Sequence, residues 1–340
     1  MRCADMQLTT DLITTDDALE ALRPEWHKLW RDTKASPFQS PDWLLPWWHH
    51  FGTTMPRVAI LRCNDQLHGL LPLYVLDDAN GRKLLPIGVG ITDYFDILLH
   101  PDAPQDAADR LLEQALSTAP ADGASTCDLP DLPTGARLRQ VASPACWRYK
   151  LQETIACPVL TLPTEAASLH QCIPTGTRRN LRTDRNRAQR IGGFATDVAD
   201  SQTLSHYLET LFRLHQARWA ERGERGVLSD PRVAAFHREA APRLLANGTL
   251  RLQVLRFGEH IAAAFHTLLG QHSILFYLIS FDPQYKYQSP GTLLFGTILE
   301  AAITEGRREL HFLRGAEGYK QAWGGVDRFN ALLQLVRCTS

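Results

Sequence analysis

A chain of 340 residues, 44% apolar and 21% charged, exceeds what one hydrophobic core usually fills, so two domains of ordinary size are expected. A formal net charge of -1 excludes global attraction to DNA, RNA or an anionic membrane surface. The seven cysteines are odd in number and never spaced as CxxC, which excludes a disulfide framework or structural zinc and leaves no metal expected.

The N-terminal stretch MRCADMQLTTDLITTDD is acidic and polar where a signal peptide would be basic and then apolar. No run approaches the roughly 18 apolar residues of a membrane span, so a cytoplasmic protein is expected. Helical patterns cover 17–30 and 41–50, the second carrying Trp43, Trp47 and Trp48 as core of the first domain, with an outer edge suited to stacking on a sugar. The run from Arg57 to Leu71 alternates around Asn64-Asp65 and predicts a β-hairpin. A strand at 93–99, a helix at 106–116 and a strand at 126–129 follow.

The stretch 162–174, twice broken by proline, predicts a linker. Beyond it come helices at 175–191, 203–221 and 231–246. The first places Arg178, Arg182 and Arg185 on one stripe beside Leu181, Ala188 and Ile191, which reads as a solvated face with an apolar seam or, functionally, as contact with an anionic acceptor, a carrier protein's phosphopantetheine or a tRNA. A second hairpin from Arg251 turns at Gly258-Glu259 and matches the first in its arginines, aliphatic alternation and turn position. A strand at 273–280, a helix at 290–304 and a strand at 310–313 complete the repeat. The order β-β-β-α-β thus occurs twice. The fold class is α+β: tandem domains at 1–162 and 163–340, each a mixed, mainly antiparallel sheet flanked by helices.

The junction between strand 273–280 and the next helix is the most informative feature. Ser289 fits the N-cap, Pro290 the first helical position, and Gly291 a place where backbone approaches a ligand. Such a start presents unpaired N–H groups and the positive end of the helix dipole, which suits a pyrophosphate. GxGxxG and GxxxxGK[ST] loops are missing, so dehydrogenase and P-loop readings fail. Further on, 310–324 clusters Arg314, Glu317, Tyr319 and Lys320, in a chain with six lysines against 30 arginines.

Several segments together resemble a known family: Phe38 to Trp43 with Trp47-Trp48, Gly90 to Asp96, the arginine-rich helix from Arg178, His215 to Trp219, Ser289-Pro-Gly291 and Phe312 to Lys320. The family is the BioF2-like or CelD-type acetyltransferases of the GNAT (GCN5-related N-acetyltransferase) superfamily, related to the Fem-type aminoacyl transferases. The resemblance implies two GNAT-like domains facing one another, an acyl thioester on the second and an acceptor in the cleft between them, the first domain lying on the acceptor side. It implies an N-acyltransferase that takes an acyl group from acyl-CoA (acetyl-CoA) to an amine of a small metabolite, amino sugar or amino acid.

By similarity the loop Gln288, Ser289, Gly291 and Thr292 takes the donor's pyrophosphate, Lys320 steadies the charge developing on the acyl carbonyl, and Tyr319 protonates the departing thiolate. The general base is left among Asp93, Asp96 and His215, and Asp96, Glu317, Arg314 and Arg178 are candidate acceptor contacts. An acyl carrier protein is an alternative donor. The competing functions are an aminoacyl-tRNA-dependent Fem-type transferase and a non-catalytic accessory protein of polysaccharide biosynthesis. Relatives commonly carry aspartates where this chain has His311 and Ala316, so two carboxylates are missing near the site.

Overall fold

The computed structural model describes residues 7–33, 35–79, 81–119, 121, 123–164, 172–315 and 317–338. The chain falls into two compact units, one spanning Met1–Ala156 with Arg328–Ser340 and the other Cys157–Asp327. The α+β class holds in both. Most of the expected linker, and Ala316, lie outside the described residues.

The first unit comprises β1 (Leu8–Ile13), α1 (Asp16–Ala21), α2 (Arg23–Thr33), α3 (Pro41–Phe51), β2 (Pro56–Cys63), β3 (Gln66–Asp78), β4 (Gly81–Pro86), β5 (Leu98–Leu99), α4 (Ala107–Ser117), β6 (Ala124–Leu132) and β7 (Trp147–Ala156). It is completed by the chain's last strand, β14 (Phe329–Arg337). The predicted hairpin is β2–β3, with Asn64 and Asp65 both at positive φ, as a two-residue hairpin turn demands. Leu111, Leu112, Ala115 and Leu116 of α4 pack into the same core as Leu61, Leu71 and Leu73 of the sheet.

The expected strand at 93–99 is mostly a loop: only Leu98–Leu99 pair, and β4 takes the predicted place. Gly88 and Gly90 at positive φ turn the chain out of the sheet after β4. A contiguous domain at 163–340 also gives way to a different division, because β14 pairs with β6 and β7 in the first sheet. Its inward residues Ala331, Leu333 and Leu335 are buried in that core, which is the physical reason it belongs there.

The second unit comprises β8 (Val159–Thr161), α5 (Thr175–Gln189), β9 (Ala195–Val198), α6 (Leu204–Glu221), α7 (Pro231–Ala246), β10 (Leu250–Phe257), β11 (His260–Leu269), β12 (Ser273–Phe281), α8 (Pro290–Thr304), β13 (Glu309–His311) and the single turn α9 (Tyr319–Ala322). Its sheet runs β8-β13-β12-β11-β10-β9, against β1-β2-β3-β4-β6-β14-β7 in the first unit. In each sheet one parallel pair, β4 with β6 and β12 with β13, is spanned by the crossover helix α4 or α8. That shared topology is what the hairpin match anticipates.

The matched arginines do the same work in both units. Arg57 is buried and donates from Nε to the Ala115 carbonyl near the end of α4 at 3.0 Å. Arg251 reaches Glu305, the C-cap of α8, at 2.8 Å. Each ties the first strand of its hairpin to the negative end of the crossover helix.

α5 turns Leu181, Asp184 and Ala188 inward, whereas Ile191 lies past its end and is half exposed. The expected apolar seam therefore contains a buried carboxylate. An aromatic cluster of Phe276, Phe295, Phe312 and Trp323 fills the core beneath, with Phe295 and Trp323 stacked at 4.0 Å.

Candidate active site

Parallel pairing of β12 with β13 lasts only from Ser273↔Glu309 to Leu275↔His311. β12 then continues to Phe281, while the chain leaves β13 through Leu313 in the left-handed region at φ 61. Register with β11 shifts here, Thr267 facing Phe276 and His266 facing Leu278, so Tyr277 is an extra residue that re-aims the strand's backbone groups. A crevice at the carboxyl ends of two diverging parallel strands, followed by a helix N-terminus, is where open sheets hold ligands.

The α8 start borders this crevice. Ser289 adopts φ 51, ψ 49 and makes no side-chain cap; its hydroxyl donates instead to the buried Asp184 carboxylate. The helix ladder opens with Leu293 N–H to Ser289 O at 3.1 Å. Pro290 has no N–H, so Gly291 and Thr292 are left with uncapped donors in the first turn. A Cβ on Gly291 would stand 3.3 Å from the Phe281 ring, so β12 and the helix start fit closely at this point. Burial raises the Asp184 carboxyl, and the Ser289 and Arg187 donors oppose that rise. Arg187 also donates to the Tyr287 carbonyl, so α5 clamps the turn ahead of α8. Gln288 has a buried Oε1 beside this turn without a hydrogen-bond partner among the described residues.

Lys320 is 1% exposed. Its Nζ donates to the carbonyls of Leu313 at 3.1 Å, Arg314 at 2.7 Å and Gly315 at 3.2 Å, and Glu317 lies 3.0 Å away. The ammonium's three protons are therefore spent on the loop that it closes. The role expected for it, donation to an acyl oxyanion, has no proton to draw on in this geometry. Gly315 sits over the ion pair at φ 122, where a Cβ would meet Glu317 Oε2 at 2.2 Å and Nζ at 3.0 Å. Gly315→Ala is expected to break the ion pair and strain the loop, lowering stability by about 2 kcal/mol, measurable as a lower urea midpoint.

Tyr319 is partly buried, edge-on to Phe312 at 6.1 Å. Burial above all, then Glu317, pushes its phenol well above the usual range, and Arg218 opposes them, so it holds its proton at neutral pH. Arg218, on α6, stacks over Phe281 at 5.0 Å and donates from Nη1 to the Ile279 carbonyl at 3.1 Å. Neither Arg218 nor Asp184 was a sequence candidate. The signal for Asp184 was its place on an apolar stripe; for Arg218 there was none beyond its His-Gln-Ala-Arg-Trp motif.

The candidate bases fare differently. His215 accepts from Trp219 Nε1 at 2.9 Å through Nε2, so its proton resides on Nδ1 and no lone pair is left to take another. Burial and then Arg218 depress it to about 4. Asp96 accepts from the backbone N–H of Arg137 at 2.7 Å and Leu138 at 3.1 Å, stapling a loop of the first unit, and burial raises it to about 6. Asp93 is buried on the same loop, its carbonyl held by Asn330 at 2.9 Å. Arg178 turns back to Thr175 at 2.8 Å in the first turn of α5, and Thr177 bonds the Ala322 carbonyl just after Lys320.

Among the described residues no group of three or more His, Cys, Asp or Glu is placed to hold a metal ion, and no helix is long and apolar enough to cross a membrane. A cleft of about 720 Å³ beside His100 and Arg137, and an apolar groove of about 490 Å³ between α6 and α7, share no lining residue with the crevice.

Residues 175–321 match the family model described as Acetyltransferase (GNAT) domain. No curated protein matches the chain. Among solved structures, FemX is similar with a TM-score of 0.68 at 10% identity over 97% of this chain and 98% of its own. A conserved protein of unknown function from Bacteroides thetaiotaomicron gives 0.63 at 11% identity over 96% and 100%. L-PGS from Bacillus licheniformis gives 0.59 at 14% identity over 95% and 92%. These likenesses span both units and show the fold alone; they do not single out a BioF2-like or CelD-type protein. With its doubled strand order and the match over 175–321, the chain has the GNAT acetyltransferase fold, a fold similar to those of FemX and L-PGS.

Proposed function

We propose that the second unit transfers an acyl group from acyl-CoA to the amine of a small metabolite, amino sugar or amino acid. The observation that carries this reading is the uncapped start of α8 beside the point where β12 and β13 diverge. There Gly291 and Thr292 offer two N–H donors and the positive end of a 15-residue helix to the donor's pyrophosphate. The chemistry asks for attack by a neutral amine on the thioester carbon, formation of a C–N bond, departure of sulfur and return of one proton to it. Backbone N–H groups of β12 past Tyr277 supply the oxyanion donors, and Tyr319, protonated at neutral pH, supplies the proton to sulfur. Lys320 positions Tyr319 by closing the loop before it, a supporting role in place of direct contact with the acyl oxygen. The amine's own proton leaves to solvent.

Binding is tested by thermal shift: acetyl-CoA at a hundred times its dissociation constant should stabilise the second unit by about 2.7 kcal/mol. No shift with coenzyme A or its acetyl and longer acyl forms would sink the donor assignment. Tyr319→Phe is expected to lower kcat about a hundredfold with little change in KM or melting temperature, and undiminished turnover would remove the phenol from the mechanism.

A further inference from the structure

Arg218 has more donors than the protein gives it acceptors. Its guanidinium plane is fixed by Phe281 beneath it at 5.0 Å and by the Nη1 bond to Ile279 O at 3.1 Å. Nε, on the other edge, is buried and has no hydrogen-bond partner among the described residues. Among the described residues no carboxylate forms an ion pair with it: Glu317, whose charge it feels, is held by Lys320 at 3.0 Å. The nearby Arg222, over the Trp219 ring at 5.6 Å, adds charge of the same sign. A partly buried cation left in this way is unfavourable unless something completes it.

The open edge narrows the choice. Nη1 lies on the Cδ side of a guanidinium, so the unused Nε–H and Nη2–H point the same way, as the fork that grips both oxygens of a carboxylate. A side-on fork of this kind takes two oxygens lying in one plane, which matches a planar carboxylate better than a tetrahedral phosphate, and the flat Phe281 floor suits a planar group. Resting on the acyl-transfer reading of the crevice, we infer that Arg218 holds a carboxylate of the substrate beside Tyr319. That carboxylate arrives either on the acceptor, as in an α-amino acid, or on the acyl chain, as in a dicarboxylic half-thioester.

The test compares matched probes by calorimetry on the full chain: each of the common α-amino acids against its carboxamide, with and without coenzyme A, and succinyl-CoA against acetyl-CoA. The expected result is at least a tenfold preference for the carboxylate in one pair. A preference among the amino acids assigns the group to the acceptor, and one between thioesters assigns it to the acyl chain. Arg218→Lys, which keeps the charge but loses the fork, should abolish the preference at unchanged melting temperature; Arg218→Gln replaces it should the lysine variant not fold. Wild type that shows no preference in either pair, or a preference that survives both variants, overturns the inference. Failure of coenzyme A itself to bind would instead count against the donor site, since the amino-acid comparison is also read without it.

Discussion

Lys320→Met is expected to destabilise the second unit by about 3–5 kcal/mol, the cost of removing one partner from a buried charged network. Three carbonyls, those of Leu313, Arg314 and Gly315, would lose their donor, and Glu317 its counter-charge. Leu313 would be left holding a left-handed backbone without the bond that secures it. For a unit of this size the melting temperature should fall by about 10 °C, and acyl transfer should fall with it because Tyr319 rides on the same loop. Guanidinium unfolding followed by Trp323 fluorescence measures the loss. A variant that kept its melting temperature and lost only kcat would return the lysine to direct contact with the reacting carbonyl.

Acidification should unfold the second unit before the first. His215, His237 and His266 are buried between the sheet and the helices α6 and α7, and burial leads in lowering all three below the usual imidazole range, His215 and His266 to about 4. A histidine whose folded value is depressed contributes stability that is present above about 6.5 and lost as pH falls toward its folded value. For the fully buried His266 this amounts to about 3 kcal/mol, and for His215 somewhat less. Arg218, near His215, strengthens the effect, and the histidines repel one another once charged. Asp96 works with the opposite sign in the first unit: its raised carboxyl near 6 penalises folding as pH climbs from 4 through 6, so acid relieves it. The urea midpoint of the second unit should therefore drop steeply between pH 6.5 and 4, and His266→Phe should flatten that slope. A midpoint constant across the range would show that the histidines are not held neutral by burial.

What was legible in the sequence was local. The turn residues at Asn64-Asp65 and Gly258, and the Ser-Pro-Gly start of α8, carry their conformational demands within a few positions, and each element formed where expected. The duplication was legible because the arginine that ties each hairpin to its crossover helix recurs at the same step. Partnerships across long separations were not. Nothing in Phe329–Arg337 says that it pairs with β6 and β7 rather than with the strands just before it. Lys320 was singled out for being a rare lysine next to a tyrosine, yet which acceptors surround an ammonium depends on how the loop folds back over seven residues. His215 carried a motif but not its Trp219 partner's direction, and Arg218, three positions on, was hidden among the chain's 30 arginines.

The pairing of Ala156 with Phe329 at the ends of β7 and β14 makes the whole of the second unit an insertion between two neighbouring strands of the first. During translation the inserted portion can collapse as soon as it emerges, while the sheet that hosts it waits for a strand synthesised about 170 residues later. Cutting the gene at the apparent linker near 162 would thus yield two faulty pieces, one with an unfilled gap between β6 and β7, the other trailing an apolar tail with nowhere to bind. Excision of 157–327 with a short bridge across Ala156 and Arg328 is the cut that respects how the chain is wired.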